Sequence, residues 1–161
     1  MTTFLRWKRR YTSILRGALM VTVYLASLPS VQAAETVDAT LYKNPSCRCC
    51  DQYAAYLRQY DYEIKVTETP NLRQFKAEHG VPSRLQSCHT MLLDGYVIEG
   101  HVPVGVINKL LDERPEIRGV SLPGMPQGSL GMGDDPTAQY TVYTLGQNPA
   151  DPPVPYLETG Q

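Results

Sequence analysis

The chain has 161 residues, a length typical of one domain, and its 15 Lys and Arg residues nearly balance its 16 Asp and Glu residues. Five of the basic residues and none of the acidic ones lie in the first 33 positions, so the remaining 128 residues form an acidic body with ten basic and 16 acidic side chains. That charge argues against a nucleic-acid-binding protein, which needs a basic surface to meet phosphates, and a hydrophobic content of 42% is too low for a polytopic membrane protein.

The N-terminal segment predicts a secretory signal peptide over residues 1–33. Basic residues at positions 6–10 precede an apolar stretch from Gly17 to Leu28, which has 12 residues and is too short to span a bilayer comfortably. Pro29 ends this stretch, and Ala33 supplies the small residue that a cleavage site needs. We therefore expect an exported protein, with a bacterial periplasm as its compartment and no membrane attachment after cleavage. An uncleaved membrane anchor is the alternative.

Strands and helices alternate in the first part of the predicted mature chain. Val37–Tyr42 is predicted to be a strand, and the apolar stripe that follows predicts a helix over residues 47–60. Residues 62–67 alternate between apolar and polar side chains and predict a second strand. A second helix is expected between Thr69, a residue type that caps helices, and Gly80, a residue type that ends them.

A β-hairpin and a third helix complete the regular part of the chain. Asp94-Gly95 separates two short apolar runs, Thr90–Leu93 and Tyr96–His101, and this dipeptide is a strong hairpin signal. A helix is expected to follow over residues 103–114. The resulting order, β-α-β-α-β-β-α, predicts an α/β protein with a thioredoxin-like domain over residues 34–120.

The C-terminal segment, residues 121–161, differs in composition from the rest of the chain. It holds seven Pro and six Gly residues, so it cannot be mostly helix or strand. We expect a Pro/Gly-rich loop followed by a tail, with one strand at Gln139–Thr144, where β-forming residues cluster.

All four cysteines lie in the predicted mature chain, and three of them fall within four residues: Cys47, Cys49 and Cys50. The fourth is Cys88. The clustered cysteines lie where the first strand gives way to the first helix, and unpaired N–H groups and the helix dipole stabilise thiolates there. A thiolate is both the nucleophile of disulfide exchange and a ligand of soft metal ions. Position alone therefore does not choose between a redox site and a metal site.

Three interpretations of the cysteines are open. Two structural disulfides fit an oxidising compartment, but the adjacent Cys49 and Cys50 pair awkwardly. A redox enzyme would use the Cys47-x-x-Cys50 spacing, which is typical of thioredoxin-like active sites, although Cys49 would then offer a third thiol for scrambling. A thiolate metal site is favoured, since clustered thiols can bind or bridge a soft cation such as Cu(I), and zinc is a further alternative.

The hairpin register adds a histidine to the candidate ligands. If the turn is centred on Asp94-Gly95, partners across the strands have numbers that sum to 189, so Cys88 faces His101. His89 would point to the other face if the strand already extends that far, so His101 is the preferred ligand. Met125, held in a Pro/Gly-rich loop, offers a soft thioether.

Four short motifs stand out in the mature chain: KNPSCRCC at 43–50, CHT at 88–90, DGYVIEGHVP at 94–103 and PGMPQGS at 123–129. Together they resemble the CopG-type periplasmic copper-resistance proteins, a thioredoxin-like family. The resemblance extends over residues 38–133, and the combination is specific although each motif alone is weak.

This resemblance implies an exported protein that binds copper and acts in copper resistance. The implied metal ligands are the four cysteines together with a histidine and a methionine: Cys47, Cys49, Cys50, Cys88, His101 and Met125. The resemblance is compatible with several copper ions and with cycling of copper between oxidation states, so the expected activities are Cu(I) sequestration and copper redox cycling.

The expected partners are metal ions and other periplasmic copper-handling proteins. The alternative function is a periplasmic thiol-disulfide oxidoreductase that uses Cys47 and Cys50. Ordinary thioredoxins place a proline immediately before the first strand of the hairpin, where this chain has Ser87-Cys88-His89. A fourth sulfur in place of that proline favours metal binding over disulfide exchange.

Overall fold

Short strands and amphipathic helices alternate along residues 36–158, the part of the chain that this computed structural model describes. The predicted signal peptide, residues 1–33, lies outside the described residues. Within residues 36–158, none of the helices has the length and apolar character needed to cross a membrane. Two short 3-10 helices, Arg58–Tyr60 and Ser83–Leu85, join the main elements. In chain order those elements are β1 (Val37–Lys43), α1 (Arg48–Leu57), β2 (Tyr62–Glu68), α2 (Leu72–Glu78), β3 (His89–Leu93), β4 (Tyr96–Glu99), α3 (Val104–Glu113), β5 (Gly119–Ser121), β6 (Thr141–Leu145) and β7 (Pro155–Glu158).

These seven strands belong to one mixed sheet, in the order β2-β1-β3-β4-β5-β6-β7. β1 runs parallel to β2 and β4 runs parallel to β5, and a helix connects the strands of each pair. The other neighbouring strands are antiparallel. The predicted order β-α-β-α-β-β-α is found from β1 to α3, which confirms the α/β class, while the thioredoxin-like assignment stays a prediction.

The main core lies between one face of the sheet and the helices α1 and α3. Leu41 of β1, Met91 of β3 and Ile98 of β4 lie on this face and are completely buried. They pack in one cluster with Tyr53 of α1 and Ile107 of α3, which belong to apolar stripes at helical spacing. This apolar packing holds α1, and with it the clustered cysteines, against the sheet.

The opposite face of the sheet carries α2. Successive strand residues point to opposite faces, so Thr90 and Glu99 lie on the side away from the main core. Both are buried, and Lys76 of α2 contacts both side chains. Phe75 of α2 stacks on Tyr42 of β1, with ring centroids 4.1 Å apart. A helix therefore covers the polar side chains of the hairpin on this face.

α2 begins later than the sequence pattern predicts. Its N-cap is Asn71 and not Thr69. The N–H of Thr69 donates to the carbonyl of Lys43 at 2.9 Å, so this residue continues the contact between β1 and β2 instead of capping a helix. The end of the helix agrees with the prediction, because Gly80 has a φ of +72°, the left-handed conformation in which helices commonly stop.

The C-terminal segment contributes two further strands to the sheet. The strand predicted at Gln139–Thr144 is found as β6, with the bounds Thr141–Leu145. β7 was not predicted, and it pairs with β6 so that Val142 lies opposite Leu157. Its first residue is Pro155, which lacks an N–H and is tolerated on the outermost strand of a sheet.

Candidate metal centre

The three clustered cysteines lie in the connection from β1 to α1 and in the first helical turn. Cys47 is the N-cap of α1 and has an extended backbone, and its N–H donates to the carbonyl of Asn44 at 3.0 Å. Lys43, buried at the end of β1, donates from its ammonium to the carbonyl of Cys47 at 3.3 Å and to Oδ2 of Asp51 at 3.0 Å. This buried cation holds the connection against the helix and thereby orients the cysteines.

The structure brings Cys88 to the three clustered cysteines. The Sγ atoms of all four lie within 4.8 Å of one another. Cys47 and Cys50 are joined by a disulfide, whereas Cys49 and Cys88 are free. Cys50 is completely buried, and the other three are partly exposed. The expected proximity of Cys88 is therefore observed, while the role of these sulfurs as metal ligands stays a prediction.

His101 follows β4 and adds an imidazole to the cluster. Its Nε2 lies 3.1 Å from Sγ of Cys88, and its Nδ1 is hydrogen-bonded to the carbonyl oxygen of Leu130. A carbonyl oxygen only accepts hydrogen bonds, so we assign the proton to Nδ1 and the lone pair to Nε2. Metal-binding histidines commonly donate their second N–H to a carbonyl in this way. Sequence reasoning missed Leu130, because nothing in its glycine-rich loop signals this contact.

His89 also belongs to the cluster, contrary to the prediction that it points to the other face. Four ligand atoms lie within 4.8 Å of one another, and they belong to Cys50, Cys88, His89 and His101. The rings of His89 and His101 both contact the ring of Tyr53 in α1, at centroid distances of 4.8 and 5.0 Å. The cluster therefore contains two imidazoles.

The prediction for His89 was wrong because strand alternation stops at Glu99, the last residue of β4. Gly100 follows with a φ of +78°, a left-handed conformation that favours glycine, and the backbone turns away from the strand. A Cβ atom at Gly100 would lie 2.5 Å from the carbonyl oxygen of Leu122, so another residue fits there only after a shift. The turn places His101 on the side of the sheet where His89 lies.

Burial sets the protonation of the two imidazoles and of the Cys88 thiol. Desolvation lowers the pKa of His89, which is completely buried, and the neighbouring His101 and the Lys76 ammonium lower it further. Desolvation also lowers the pKa of His101. Both rings are therefore neutral at pH 7 and can offer a nitrogen lone pair to a metal ion. Burial raises the pKa of the Cys88 thiol to about 12, and the neighbouring Cys49 adds to this rise.

The donor set fits a soft metal ion. Nε2 of His89 is buried and has no hydrogen-bond partner among residues 36–158. A buried polar nitrogen is costly unless a partner satisfies it, and a metal ion is one such partner. Sulfur and imidazole donors suit both Cu(I) and zinc. The cluster could therefore hold a metal ion, and His89 is an additional candidate ligand.

A buried ion pair lies next to the backbone of Cys88. Nζ of Lys76 lies 2.5 Å from Oε1 of Glu99, and the two side chains are 4% and 0% exposed. The same carboxylate accepts hydrogen bonds from the hydroxyl of Thr90 and from the N–H of Ser87, both at 2.6 Å. Because Ser87 immediately precedes Cys88, this network fixes the backbone that carries the sulfur. Sequence reasoning missed the pair, although Glu99 lies directly opposite Thr90 in the predicted hairpin.

Met125 lies on the loop that follows β5 and is 49% exposed. The residue before it, Gly124, pairs with Ser87 in an isolated parallel bridge, and its N–H donates to the carbonyl of Gln86 at 3.2 Å. These contacts hold the loop against the segment that precedes Cys88. The role of Met125 as a ligand stays a prediction.

Known proteins that are similar to this chain include copper resistance proteins. The family described as "Protein of unknown function, DUF411" matches residues 85–132, and no match is found among curated proteins. The solved structure named "Copper resistance protein copG- Form 2" has a TM-score of 0.70 and 31% sequence identity, and the match covers 77% of this chain and 98% of that chain. The structure named "Copper resistance protein copG- Form 1" has a TM-score of 0.70 and 30% identity, with 79% of this chain and 100% of that chain covered. Since this identity extends over nearly the whole of both relatives, the chain belongs to the family of the copper resistance protein CopG.

Proposed function

We propose that this protein binds Cu(I) through the thiolates of Cys47, Cys49, Cys50 and Cys88 and contributes to copper resistance. The observation that carries the proposal is the convergence of the four Sγ atoms within 4.8 Å. A thiolate is a soft ligand that favours Cu(I), and clustered thiolates can bridge several ions. Similarity to the copper resistance protein CopG supports copper over zinc, which the same donors would also suit.

His101, His89 and Met125 complete the proposed ligand set. The lone pair of His101 Nε2 is directed at Cys88, and Leu130 holds the other ring nitrogen. His89 offers a buried nitrogen that lacks another partner among the described residues. Met125 lies on an exposed loop held close to Ser87, so its thioether would act as an outer ligand where ions enter.

Copper redox cycling is the second part of the proposal. Binding by all four thiolates requires the Cys47–Cys50 disulfide to open, which takes two electrons and two protons. In the opposite direction, the open dithiol can give two electrons to two Cu(II) ions, which leaves two Cu(I) ions, two protons and the disulfide. Sγ of Cys49 lies 3.5 Å from Sγ of Cys47, so an ion held by the free thiols would be close to the disulfide. The cysteines would then exchange electrons with the copper ions that they bind.

We also propose that the protein works in the periplasm. The basic residues followed by an apolar stretch within residues 1–33 support export. Other periplasmic copper-handling proteins would supply the ion or receive it. The acidic body of the mature chain would raise the local concentration of cations.

A thiol-disulfide oxidoreductase is the second candidate function. The disulfide between Cys47 and Cys50 favours it, because Cys47 is partly exposed at the start of α1 while Cys50 is buried. Cys49 argues against it, since a third thiol 3.5 Å from Cys47 would compete in every exchange step. In this alternative, copper would have no part in the reaction.

A Cu(I) titration separates the two functions. The protein, purified after export, is reduced with dithiothreitol, freed of reductant under argon and titrated with Cu(I) against a competing chelator. We expect at least one tightly bound ion and protection of all four thiols from alkylation. If the protein does not bind Cu(I) but reduces a model disulfide through Cys47 and Cys50, the result would contradict the proposal and support the oxidoreductase.

A further inference from the structure

A groove of about 470 Å³ opens in front of two of the cluster sulfurs, those of Cys47 and Cys88. It lies between the β1–α1 connection, α2 and the segment before β3. The charged side chains that line it are both basic, Arg73 and Lys76, and its other polar side chains are neutral. The groove therefore has no acidic side chain in its lining, although the body of the chain has more acidic than basic residues.

We propose that this groove binds a low-molecular-weight thiol that carries a carboxylate group, and that this thiol opens the Cys47–Cys50 disulfide. The inference rests on the proposed function, because copper binding by all four thiolates needs the reduced dithiol. It adds the chemical class of the reductant, and it adds Arg73 as the residue that anchors the carboxylate.

Exposure determines which sulfur the thiol attacks. Cys47 is partly exposed and lines the groove, whereas Cys50 is completely buried. An incoming thiolate therefore reaches the disulfide at Sγ of Cys47. Because disulfide exchange requires direct attack on one sulfur, the buried Cys50 is the leaving group.

The charges of the groove determine which end of the thiol compound binds. The ammonium of Lys76 lies 2.5 Å from the carboxylate of Glu99, which neutralises it. Arg73 is exposed in the first turn of α2, and along residues 36–158 it has neither an ion pair nor a hydrogen bond. A guanidinium pairs with a carboxylate through two parallel hydrogen bonds, so Arg73 is suited to hold such a group beside Cys47.

The exchange balances with two molecules of thiol. The first thiolate forms a bond to Sγ of Cys47, the Cys47–Cys50 bond breaks, and Cys50 leaves as a thiolate. A second thiolate then attacks the sulfur of the bound thiol, releases Cys47 as a thiolate and leaves as the oxidised disulfide of the small molecule. The Cys50 thiolate forms in the first turn of α1, which favours negative charge, and within 4.8 Å of the ligand nitrogens of His89 and His101. Reduction thus makes the Cys50 sulfur available as a ligand within the metal-binding cluster.

The test uses three small thiols that differ in charge: 3-mercaptopropionate, 2-mercaptoethanol and cysteamine. The oxidised protein is mixed with each thiol at pH 7 without copper, quenched with acid, alkylated and weighed by mass spectrometry. Arg73→Gln is expected to lower the second-order rate constant for 3-mercaptopropionate by about threefold, the size of an exposed ion pair. The same substitution should leave the rate constant for 2-mercaptoethanol unchanged and raise the rate constant for cysteamine. Arg73→Lys should keep part of the rate for 3-mercaptopropionate, because it retains the charge but not the two parallel hydrogen bonds. Lys65→Gln, which removes an exposed charge on β2, should change none of the three rate constants.

Two outcomes would overturn the inference. An equal change for all three thiols would show that Arg73 acts on the disulfide itself, and no change for any of them would show that the groove has no carboxylate site. Copper binding is measured separately, on protein reduced beforehand with dithiothreitol. A failure of that titration would refute the proposed function, whereas a failure of the thiol series alone would refute only the assignment of the groove.

Discussion

Sγ of Cys88 lies 3.1 Å from Nε2 of His101, so the residue before β3 meets the second residue after β4. The contact depends on the turn at Asp94-Gly95, where both residues have positive φ, 46° and 85°, as the tightest hairpin turns require. It also depends on Gly100, which releases His101 from strand alternation. Backbone geometry thus positions the donors, and substitutions can test each part of it.

Cys88→Ser is expected to lower the affinity for Cu(I) by at least about 100-fold, because a hydroxyl is a poor ligand for a soft ion. Cys88 is the one cysteine supplied from outside the β1–α1 segment. Competition titration on the reduced protein measures the change. His79→Gln, which alters a side chain outside the cluster, serves as the control and should bind copper normally. Unchanged affinity and stoichiometry in Cys88→Ser would refute the site.

His101→Gln and His89→Gln are each expected to weaken Cu(I) binding by about 10- to 100-fold. The loss should be larger for His101, whose Nε2 lies 3.1 Å from Sγ of Cys88 and whose Nδ1 is held by Leu130, than for His89, whose Nε2 has no hydrogen-bond partner among residues 36–158. The same competition titration ranks the two variants. Equal losses, or a larger loss for His89, would show that the contact with Cys88 does not make His101 the stronger ligand.

Cu(I) binding should strengthen as the pH rises. The pKa of the Cys88 thiol is raised to about 12, so the thiol is protonated at neutral pH and must lose its proton when the ion binds. One released proton makes the apparent affinity rise about tenfold per pH unit at any pH below that pKa. Titrations at pH 6, 7 and 8, corrected for protonation of the chelator, measure the slope. In Cys88→Ser, binding should release one proton fewer, so the affinity should rise less steeply with pH. An affinity of the native protein that does not change with pH would contradict the expectation.

Gly100→Ala is expected to destabilise the protein by about 3 kcal/mol. The left-handed φ of +78° costs a residue with a Cβ atom about 1–2 kcal/mol. Relieving the close approaches to the carbonyl of Leu122 and to the side chain of Ser87 adds about 1–3 kcal/mol. Gly95→Ala is the matched control, because its φ is +85° but no atom lies within 4 Å of the added Cβ. The free energy of unfolding of Gly95→Ala should fall only by the cost of the left-handed φ. Urea unfolding of the metal-free protein compares the two variants, and equal losses would mean that the close approaches to Leu122 and Ser87 cost nothing.

Lys76→Met is expected to lower the free energy of unfolding by about 3–5 kcal/mol, because it leaves the carboxylate of Glu99 buried without its cation. The double variant Lys76→Met/Glu99→Gln should recover at least half of this loss, since the uncharged amide oxygen can still accept from Ser87. Urea unfolding provides the measurement. Lys109→Met, which removes a cation from an exposed pair on α3, should leave stability nearly unchanged. A stable Lys76→Met variant would show that the pair does not hold the hairpin to α2.

The hairpin and its register could be predicted because they depend on local chemistry. Asp94-Gly95 is a dipeptide that adopts the required positive φ values, and the flanking apolar runs place one face on the core. The structure pairs Leu93 with Tyr96, Leu92 with Val97 and Thr90 with Glu99, as predicted. This register brings Cys88 and His101 to the same end of the hairpin, and the turn at Gly100, which was not predicted, completes their contact.

The buried surroundings of the site could not be predicted, because they depend on contacts between distant segments. Lys76 and Glu99 are 23 positions apart, and sequence patterns assign charged side chains to the surface, where they usually lie. The placement of His101 on the same side of the sheet as His89 depends on the residue at which β4 ends. The carbonyl of Leu130 comes from a loop whose course only the folded chain defines.

The pairing of β7 with β6 has a practical consequence for handling the protein. Deleting residues 155–161 would remove the partners of those backbone N–H and C=O groups of β6 that face β7. An unprotected edge of this kind recruits strands from other molecules. The cysteine cluster lies around β1, α1 and the hairpin, away from that edge in the strand order. A shortened chain is therefore expected to aggregate while it still retains its metal-binding sulfurs.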